Sequence, residues 1–134
     1  MYNLFISHSW SYSDEYEKII RMLDSAPYFS YRDYSVPKDD PLRIYSRYYN
    51  SELRNKIANQ MRTCHVVLIL AGVYASYSDS IDMEIEIAKS LNKPIIAIER
   101  WGSERTSLKV KQNADRVVGW NTSSIVDAIR ELSI

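Results

Sequence analysis

The sequence predicts an α/β fold in which a mostly parallel sheet is covered by helices on both faces. Two uninterrupted apolar runs, "HVVLIL" at residues 65–70 and "PIIAI" at 94–98, are typical of strands buried on both faces. Stretches with helical apolar spacing separate the first four predicted strands from one another, as parallel pairing requires. The chain has 134 residues, enough for one core, so residues 1–134 are predicted to form a single domain.

Five predicted strands define the sheet. They cover residues 2–6, 28–34, 65–70, 93–98 and 116–120. Five strands in a chain of this size favour the flavodoxin-like order 2-1-3-4-5. The last two strands are expected to follow one another without an intervening helix.

Four helices are predicted from apolar periodicity and capping residues. Asp14, with Glu17 three residues later, forms a capping box for the first helix. The second helix covers residues 51–62 and the third covers 80–92. Ser123 or Ser124 is expected to cap the closing helix. The expected core stripes are Tyr16, Ile19, Ile20 and Leu23; Leu53, Ile57 and Met61; Ile81, Ile85, Ala88 and Leu91; and Ile125, Ile129 and Leu132.

Composition and charge exclude several classes of partner. Basic and acidic residues are equal at 17 each, which argues against binding to nucleic acid or to an anionic membrane. No apolar run approaches the roughly 20 residues that span a bilayer. The N-terminus, "MYNLFISHS", becomes polar too early for a signal peptide, and the single cysteine, Cys64, fits a reducing compartment. These features predict a cytoplasmic protein.

Most familiar catalytic motifs are absent from the sequence. The three glycines are scattered, so there is no phosphate-binding glycine loop and no serine on a sharp glycine-flanked turn. The positions after strands 1 and 3 lack the carboxylates of a phospho-acceptor domain. Cys64 and His65 are adjacent rather than spaced as metal ligands, so no metal site is predicted.

One carboxylate lies on the apolar stripe of the third helix. Glu84 shares that stripe with Ile81 and Ile85, whereas Glu86 falls on the opposite side with Asp82, Lys89 and Lys93. The predicted topology places the start of this helix at the carboxyl ends of strands 1 and 3, where α/β sheets bind ligands. Two interpretations stay open: a first-turn glutamate that favours the helix dipole and reaches solvent, or a carboxylate in a partly dry cleft that acts on a sugar.

The sequence resembles a known family. "LFISHSWSYSDEY", "DYSVPKDDPL", "LRNKIANQMRTCHVVLIL" and "DMEIEIAKSLNKPIIAI" together are similar to the bacterial TIR-like domains, in particular the small flavodoxin-like branch found in Thoeris anti-phage systems. The resemblance covers residues 2–101. It implies that Glu84 is the catalytic glutamate that cleaves the nicotinamide–ribose bond of NAD. It also implies that the loop at residues 33–41 covers the nucleotide and mediates self-association between TIR domains.

The same resemblance implies further substrate contacts. Phe5, Ser7 and His8 would contact the nucleotide at the end of strand 1, and Asp39 and Asp40 would close over it. Relatives give the stacking role to an aromatic residue four positions before the glutamate, where this chain has Ser80. Either Tyr77, the nearest upstream aromatic residue, or a tyrosine within residues 45–49 would take that role. NAD is implied as a substrate, with no cofactor. The product, a cyclic ADP-ribose-type or related signal, would act on a separate nucleotide-sensing effector protein.

Two other functions are compatible with the sequence. A non-catalytic TIR module would use the tyrosine-rich segment after strand 2 for assembly. A nucleoside deoxyribosyltransferase-like enzyme would also use a glutamate on the corresponding helix to break an N-glycosidic bond. The first strand ending in "FISHS" suits TIR-like proteins better than transferases.

Overall fold

The computed structural model describes residues 1–7, 15–36, 51–71, 78–99 and 108–134. Strands and helices alternate along the described chain. The elements are β1 (Tyr2–Ile6), α1 (Glu15–Ser25), β2 (Tyr31–Asp33), α2 (Ser51–Arg62), β3 (Val66–Leu70), α3 (Ser78–Ser90), β4 (Ile95–Glu99), α4 (Leu108–Asn113), β5 (Arg116–Gly119) and α5 (Thr122–Leu132).

The five strands form one sheet in the order β2-β1-β3-β4-β5, which confirms the predicted flavodoxin-like order. All four neighbouring pairs of described strands are parallel. Every residue of the central strand β3 is buried, as its unbroken β-branched and leucine sequence predicts. The edge strands β2 and β5 are mostly exposed or half-buried.

Helices cover both faces of the sheet, and each face has its own core. Alternate residues of a strand point to opposite faces, so Phe5 belongs to one core while its neighbours Leu4 and Ile6 belong to the other. The Phe5 core includes residues of α2, α3 and α4, and the Leu4 core includes residues of α1 and α5. Ten of the predicted core residues are buried: Ile19, Leu23, Leu53, Ile57, Met61, Ile81, Ile85, Ala88, Ile125 and Ile129. The other four, Tyr16, Ile20, Leu91 and Leu132, are half-buried and pack against the same cores.

The expectation that the last two strands follow one another directly was wrong. The six-residue helix α4 separates them and makes the crossover that a parallel pair needs. Val110 is its only buried residue, because the helix is less than two turns long. So short a helix has no repeating apolar stripe, which is why periodicity did not detect it.

Several predicted boundaries also differ from the structure, by one to three residues. The second strand begins at Tyr31 rather than residue 28, because Tyr28 has a left-handed backbone (φ 55°) that no extended ladder accommodates. The closing helix is capped by Asn121, whose side chain accepts a hydrogen bond from the Ser124 amide at 2.8 Å. Ser123 and Ser124 lie inside that helix. The predicted Asp14 cap lies outside the described residues.

The helices in the described ranges are short. The longest, α3, has 13 residues, and a bilayer span needs about 20. No described helix is long and apolar enough to cross a membrane.

The C-terminal end of α3 is a Schellman motif centred on Asn92. Asn92 has a left-handed backbone (φ 55°), its amide donates to Lys89 O at 3.1 Å, and the Lys93 amide donates to Ala88 O at 2.9 Å. Pro94 follows and prevents the helix from continuing. This motif sets the point at which the chain turns into β4.

We expect Asn92→Ala to lower the free energy of unfolding by about 1 kcal/mol, because a left-handed backbone is costly for residues other than glycine and asparagine. Asn92→Gly should match or slightly exceed the wild type. Urea unfolding of the three proteins measures the difference. Equal stability of the alanine and glycine variants would contradict the explanation from backbone geometry.

Candidate active site

The end of β1 continues past Ile6 along β3. The Ser7 amide donates to Leu68 O at 2.9 Å, and Ser7 is fully buried. Side chains alternate along an extended chain, so Ser7 faces the same side of the sheet as Phe5, the side covered by α2 and α3. The predicted substrate contact Ser7 therefore lies at the carboxyl edge of the sheet, on the face that α3 covers.

Glu84 lies deeper in its helix than the sequence suggested. Because α3 begins at Ser78, Glu84 is its seventh residue and belongs to the second turn. The expectation of a first-turn position was wrong, and the helix dipole has little effect so far from the terminus. Helical side chains lean toward the helix N-terminus, which directs Glu84 back toward the carboxyl edge of the sheet.

Glu84 occupies the middle of the buried face of α3. Its side chain is fully buried, and its helical neighbours Ile81 and Ala88 are fully buried as well. Glu86 lies about 200° away around the helix axis, at about 100° per residue, and its side chain is 65% exposed. The predicted contrast between the two glutamates is confirmed, and the interpretation in which Glu84 reaches solvent does not hold.

Ion pairs join α3 to the helices on either side of it. Glu86 accepts from Arg54 of α2 at 2.7 Å, and Asp82 pairs with Lys109 of α4 at 2.5 Å. Exposed pairs of this kind contribute little to stability. The rotation of α3, with Glu84 facing the sheet, is set by the burial of its apolar face, which includes Ile81 and Ala88.

A buried carboxylate is costly for the fold, since removing its charge from water costs several kcal/mol even after relaxation. Among the described residues, Ser7, Glu15 and Glu84 are the polar or charged ones that are buried. Ser7 and Glu84 share one face of the sheet. A carboxylate and a hydroxyl in such a place can accept hydrogen bonds from sugar hydroxyls, and the carboxylate can stabilise a cation that forms beside it.

Phe5 is packed inside the core. Its side chain is fully buried in the cluster that also contains Val36, Leu53 and Val67. This environment gives Phe5 a structural role in supporting β1 next to Ser7. Its predicted contact with the substrate stays a prediction.

The other predicted substrate contacts lie outside the described residues. These are His8, Asp39, Asp40 and Tyr77. The segment at residues 37–41 that was expected to close over the nucleotide also lies there. Asp33, from which that predicted segment starts, is the last residue of β2.

Two features of this edge were missed from the sequence. Glu15, the first residue of α1, is 1% exposed, and its Oε1 lies 3.9 Å from Lys18 Nζ. Its spacing with Ile19 and Leu23 (i, i+4, i+8) was the signal that could have placed it on the core stripe. The second feature is a set of hydrogen bonds around Asp33, which accepts from Tyr16 of α1 and from Ser35.

Cys64 and His65 have structural contacts. Cys64 Sγ donates to Gln60 O at 3.2 Å, and burial raises the pKa of this thiol to about 12. His65 Nδ1 accepts from the Asn3 amide at 2.9 Å. Within the described ranges, no group of three or more His, Cys, Asp or Glu side chains is arranged to hold a metal ion.

The model of a family described as "Thoeris protein ThsB, TIR-like domain" matches residues 5–105. No curated protein matches the chain. The matched segment is about three quarters of the chain, and it runs from β1 through β4 and contains Ser7 and Glu84. The chain therefore belongs to the Thoeris ThsB TIR-like domains, a family of TIR-type anti-phage defence.

Proposed function

We propose that this chain cleaves the bond between nicotinamide and ribose in NAD and thereby makes a nucleotide signal in anti-phage defence. The observation that carries the proposal is the complete burial of Glu84 in the middle of the inward face of α3. Burying a carboxylate is costly, and groups held in costly environments are concentrated at functional sites. Membership of the TIR-like family supports NAD as the substrate.

The chemistry requires a group that stabilises positive charge on a sugar. When the glycosidic bond breaks, its electron pair leaves with nicotinamide, whose ring becomes neutral, and C1′ of the ribose becomes oxocarbenium-like. In the proposed mechanism the Glu84 carboxylate accepts hydrogen bonds from the ribose hydroxyls and stabilises this cation electrostatically. Burial strengthens the interaction, since the effective dielectric constant is lower than in water.

The acceptor of the ribosyl cation determines the product. Addition of water, with loss of a proton to solvent, gives ADP-ribose. Attack by a nitrogen of the substrate's own adenine, with loss of any proton that it carries, gives a cyclic isomer of ADP-ribose. We propose that a cyclic or related product is the signal and that a separate nucleotide-sensing effector protein binds it. No cofactor takes part, because cationic nicotinamide is itself a good leaving group.

The remaining predicted contacts are assigned to substrate binding. Ser7 and His8 would contact the ribose or phosphates at the end of β1, with Phe5 beside them. Asp39 and Asp40 would approach from the segment after β2, and Tyr77 would stack on a ring of the substrate. Self-association through residues 33–41 would bring two such sites together.

The proposal is tested by nicotinamide release. The purified chain is incubated at high concentration with NAD. In a parallel experiment, the NAD pool is measured in phage-infected bacteria that express the chain. Chromatography then separates nicotinamide, ADP-ribose and cyclic products. We expect release by the wild type and by Glu86→Gln, whose side chain lies on the outer face, and none by Glu84→Gln. The absence of release in both settings would overturn the proposal, and concentration-dependent self-association without release would identify an assembly module instead.

A further inference from the structure

The pairing between β1 and β2 changes at its carboxyl end. The Tyr2 amide donates to Ser30 O at 3.0 Å. In a regular parallel ladder, the amide of Leu4 would then donate to the carbonyl of residue 32 and the amide of Ile6 to the carbonyl of residue 34. The Ile6 amide instead donates to the hydroxyl oxygen of Ser35 at 2.7 Å. A side chain has replaced the backbone acceptor at the last position of β1.

Asp33 fixes the orientation of the Ser35 hydroxyl. Its Oδ1 accepts from the Ser35 amide at 2.9 Å and also from the Ser35 hydroxyl, which is an Asx-turn with a second bond. A serine hydroxyl has one proton and two lone pairs. Because the proton is directed to Asp33, a lone pair remains for the Ile6 amide.

Helix α1 holds Asp33 from the other side. Asp33 Oδ2 accepts a hydrogen bond from the Tyr16 hydroxyl. Burial, followed by this hydrogen bond and the charge of Asp33, raises the pKa of the Tyr16 phenol above its ordinary value. Tyr16 therefore stays a donor throughout the physiological range. Tyr16, Asp33, Ser35 and Ile6 form a continuous hydrogen-bonded chain, which we call the Asp33 relay.

The relay ends one residue before Ser7. The Ile6 amide is held from the β2 side by Ser35, and the Ser7 amide is held from the β3 side by Leu68 O. Two successive amides are thus fixed from opposite directions at the point where β1 reaches the carboxyl edge. The position of Ser7, on the same face of the sheet as Glu84, depends on both bonds.

We infer that Asp33 and Ser35 are positioning residues for the nucleotide substrate, acting through Ile6 on Ser7. The inference rests on the proposed function, since it assigns these residues to the same site. They do not touch the reacting atoms. Their role is to keep the end of β1 where a bound nucleotide requires it, so that losing the relay weakens the binding of the nucleotide.

The matched variants Ser35→Ala and Ser35→Thr test the inference. Alanine removes the acceptor of the Ile6 amide, whereas threonine keeps a hydroxyl on the same carbon. We expect Ser35→Ala to raise the KM for NAD about fivefold to tenfold with kcat changed less than about twofold, since the relay acts on binding. Ser35→Thr should restore KM to within about twofold of the wild type. Thermal unfolding of each variant shows whether the fold is retained.

A second measurement separates this inference from the proposed reaction. The dissociation constant for NAD is measured by calorimetry in Glu84→Gln, alone and combined with each Ser35 substitution. Weaker binding with alanine and recovery with threonine support the relay, whether or not the wild type cleaves NAD. Unchanged binding and KM in Ser35→Ala, or an equal defect in both variants, overturn the relay alone. Absence of NAD binding by Glu84→Gln, together with absence of cleavage by the wild type, overturns both proposals.

Discussion

Replacing Glu84 is expected to abolish nicotinamide release. Glu84→Gln keeps the size of the side chain and removes its charge, so the cation that develops on the ribose loses its stabilising partner. We expect a decrease in kcat of at least about 100-fold, the effect typical of losing one preorganised electrostatic group. Glu84→Met removes the charge together with every polar contact of this fully buried side chain, so its free energy of unfolding measures the balance between the cost of burying the carboxylate and the contacts that the carboxylate makes.

Nicotinamide release tests the role of the carboxylate in the reaction, and thermal unfolding of Glu84→Met measures its net effect on stability. A difference of 1–2 kcal/mol corresponds to roughly 3–10 °C in Tm for a domain of this size. Glu86→Gln is the matched control: it removes the same charge from the exposed face of α3, and it should change stability by less than about 0.5 kcal/mol. Cleavage by Glu84→Gln at the wild-type rate would exclude Glu84 from the mechanism. A less stable Glu84→Met would mean that the carboxylate contributes net stability.

Replacing Phe5 should have the largest effect on stability. Phe5 is fully buried at the centre of the core beneath α2 and α3, so Phe5→Ala removes most of an aromatic ring from a packed interior. We expect a loss of about 3–5 kcal/mol in the free energy of unfolding, measured by urea denaturation. That is a large fraction of the total stability of an ordinary domain.

Phe5→Leu then distinguishes packing from the predicted substrate contact. The smaller change in volume should cost less than about 1.5 kcal/mol, which leaves a folded protein for NAD assays. A higher KM in this variant would support a contact between Phe5 and the substrate, and an unchanged KM would leave packing as its role. Ile69→Val, in the same core on β3, shows how a loss of packing alone affects KM. A loss below about 1 kcal/mol in Phe5→Ala would contradict the assigned core position.

Several elements of the fold could be predicted because their signals are local. The central strand β3 is an unbroken apolar run, and α2 shows Leu53, Ile57 and Met61 at helical spacing with boundaries at the predicted residues. The elements that were predicted wrongly lack such local signals. Helix α4 is too short to show an apolar stripe. Tyr28 has a left-handed backbone that excludes it from β2, and no local sequence pattern indicates that conformation.

The candidate site was likewise predicted only as far as local sequence patterns allow. Helical spacing was enough to separate the inward Glu84 from the outward Glu86. It did not place Glu84 in the second turn, because the start of α3 at Ser78 was not apparent from apolar spacing. The burial of Glu15 was overlooked, since an acidic residue in the first turn of a helix is ordinarily exposed and favoured by the dipole.

The sequence by itself determined the α/β class, the order of the sheet, the family resemblance and the face of α3 on which Glu84 lies. All of these follow from residue patterns within one element or from the alternation of elements along the chain. Only the tertiary structure decided that Glu84 is fully buried and that Tyr16, Asp33 and Ser35 are hydrogen-bonded to the end of β1. The reason is physical: those bonds join separate elements of the chain, and their geometry exists only once the register of β1 and β2 and the docking of α1 have been set.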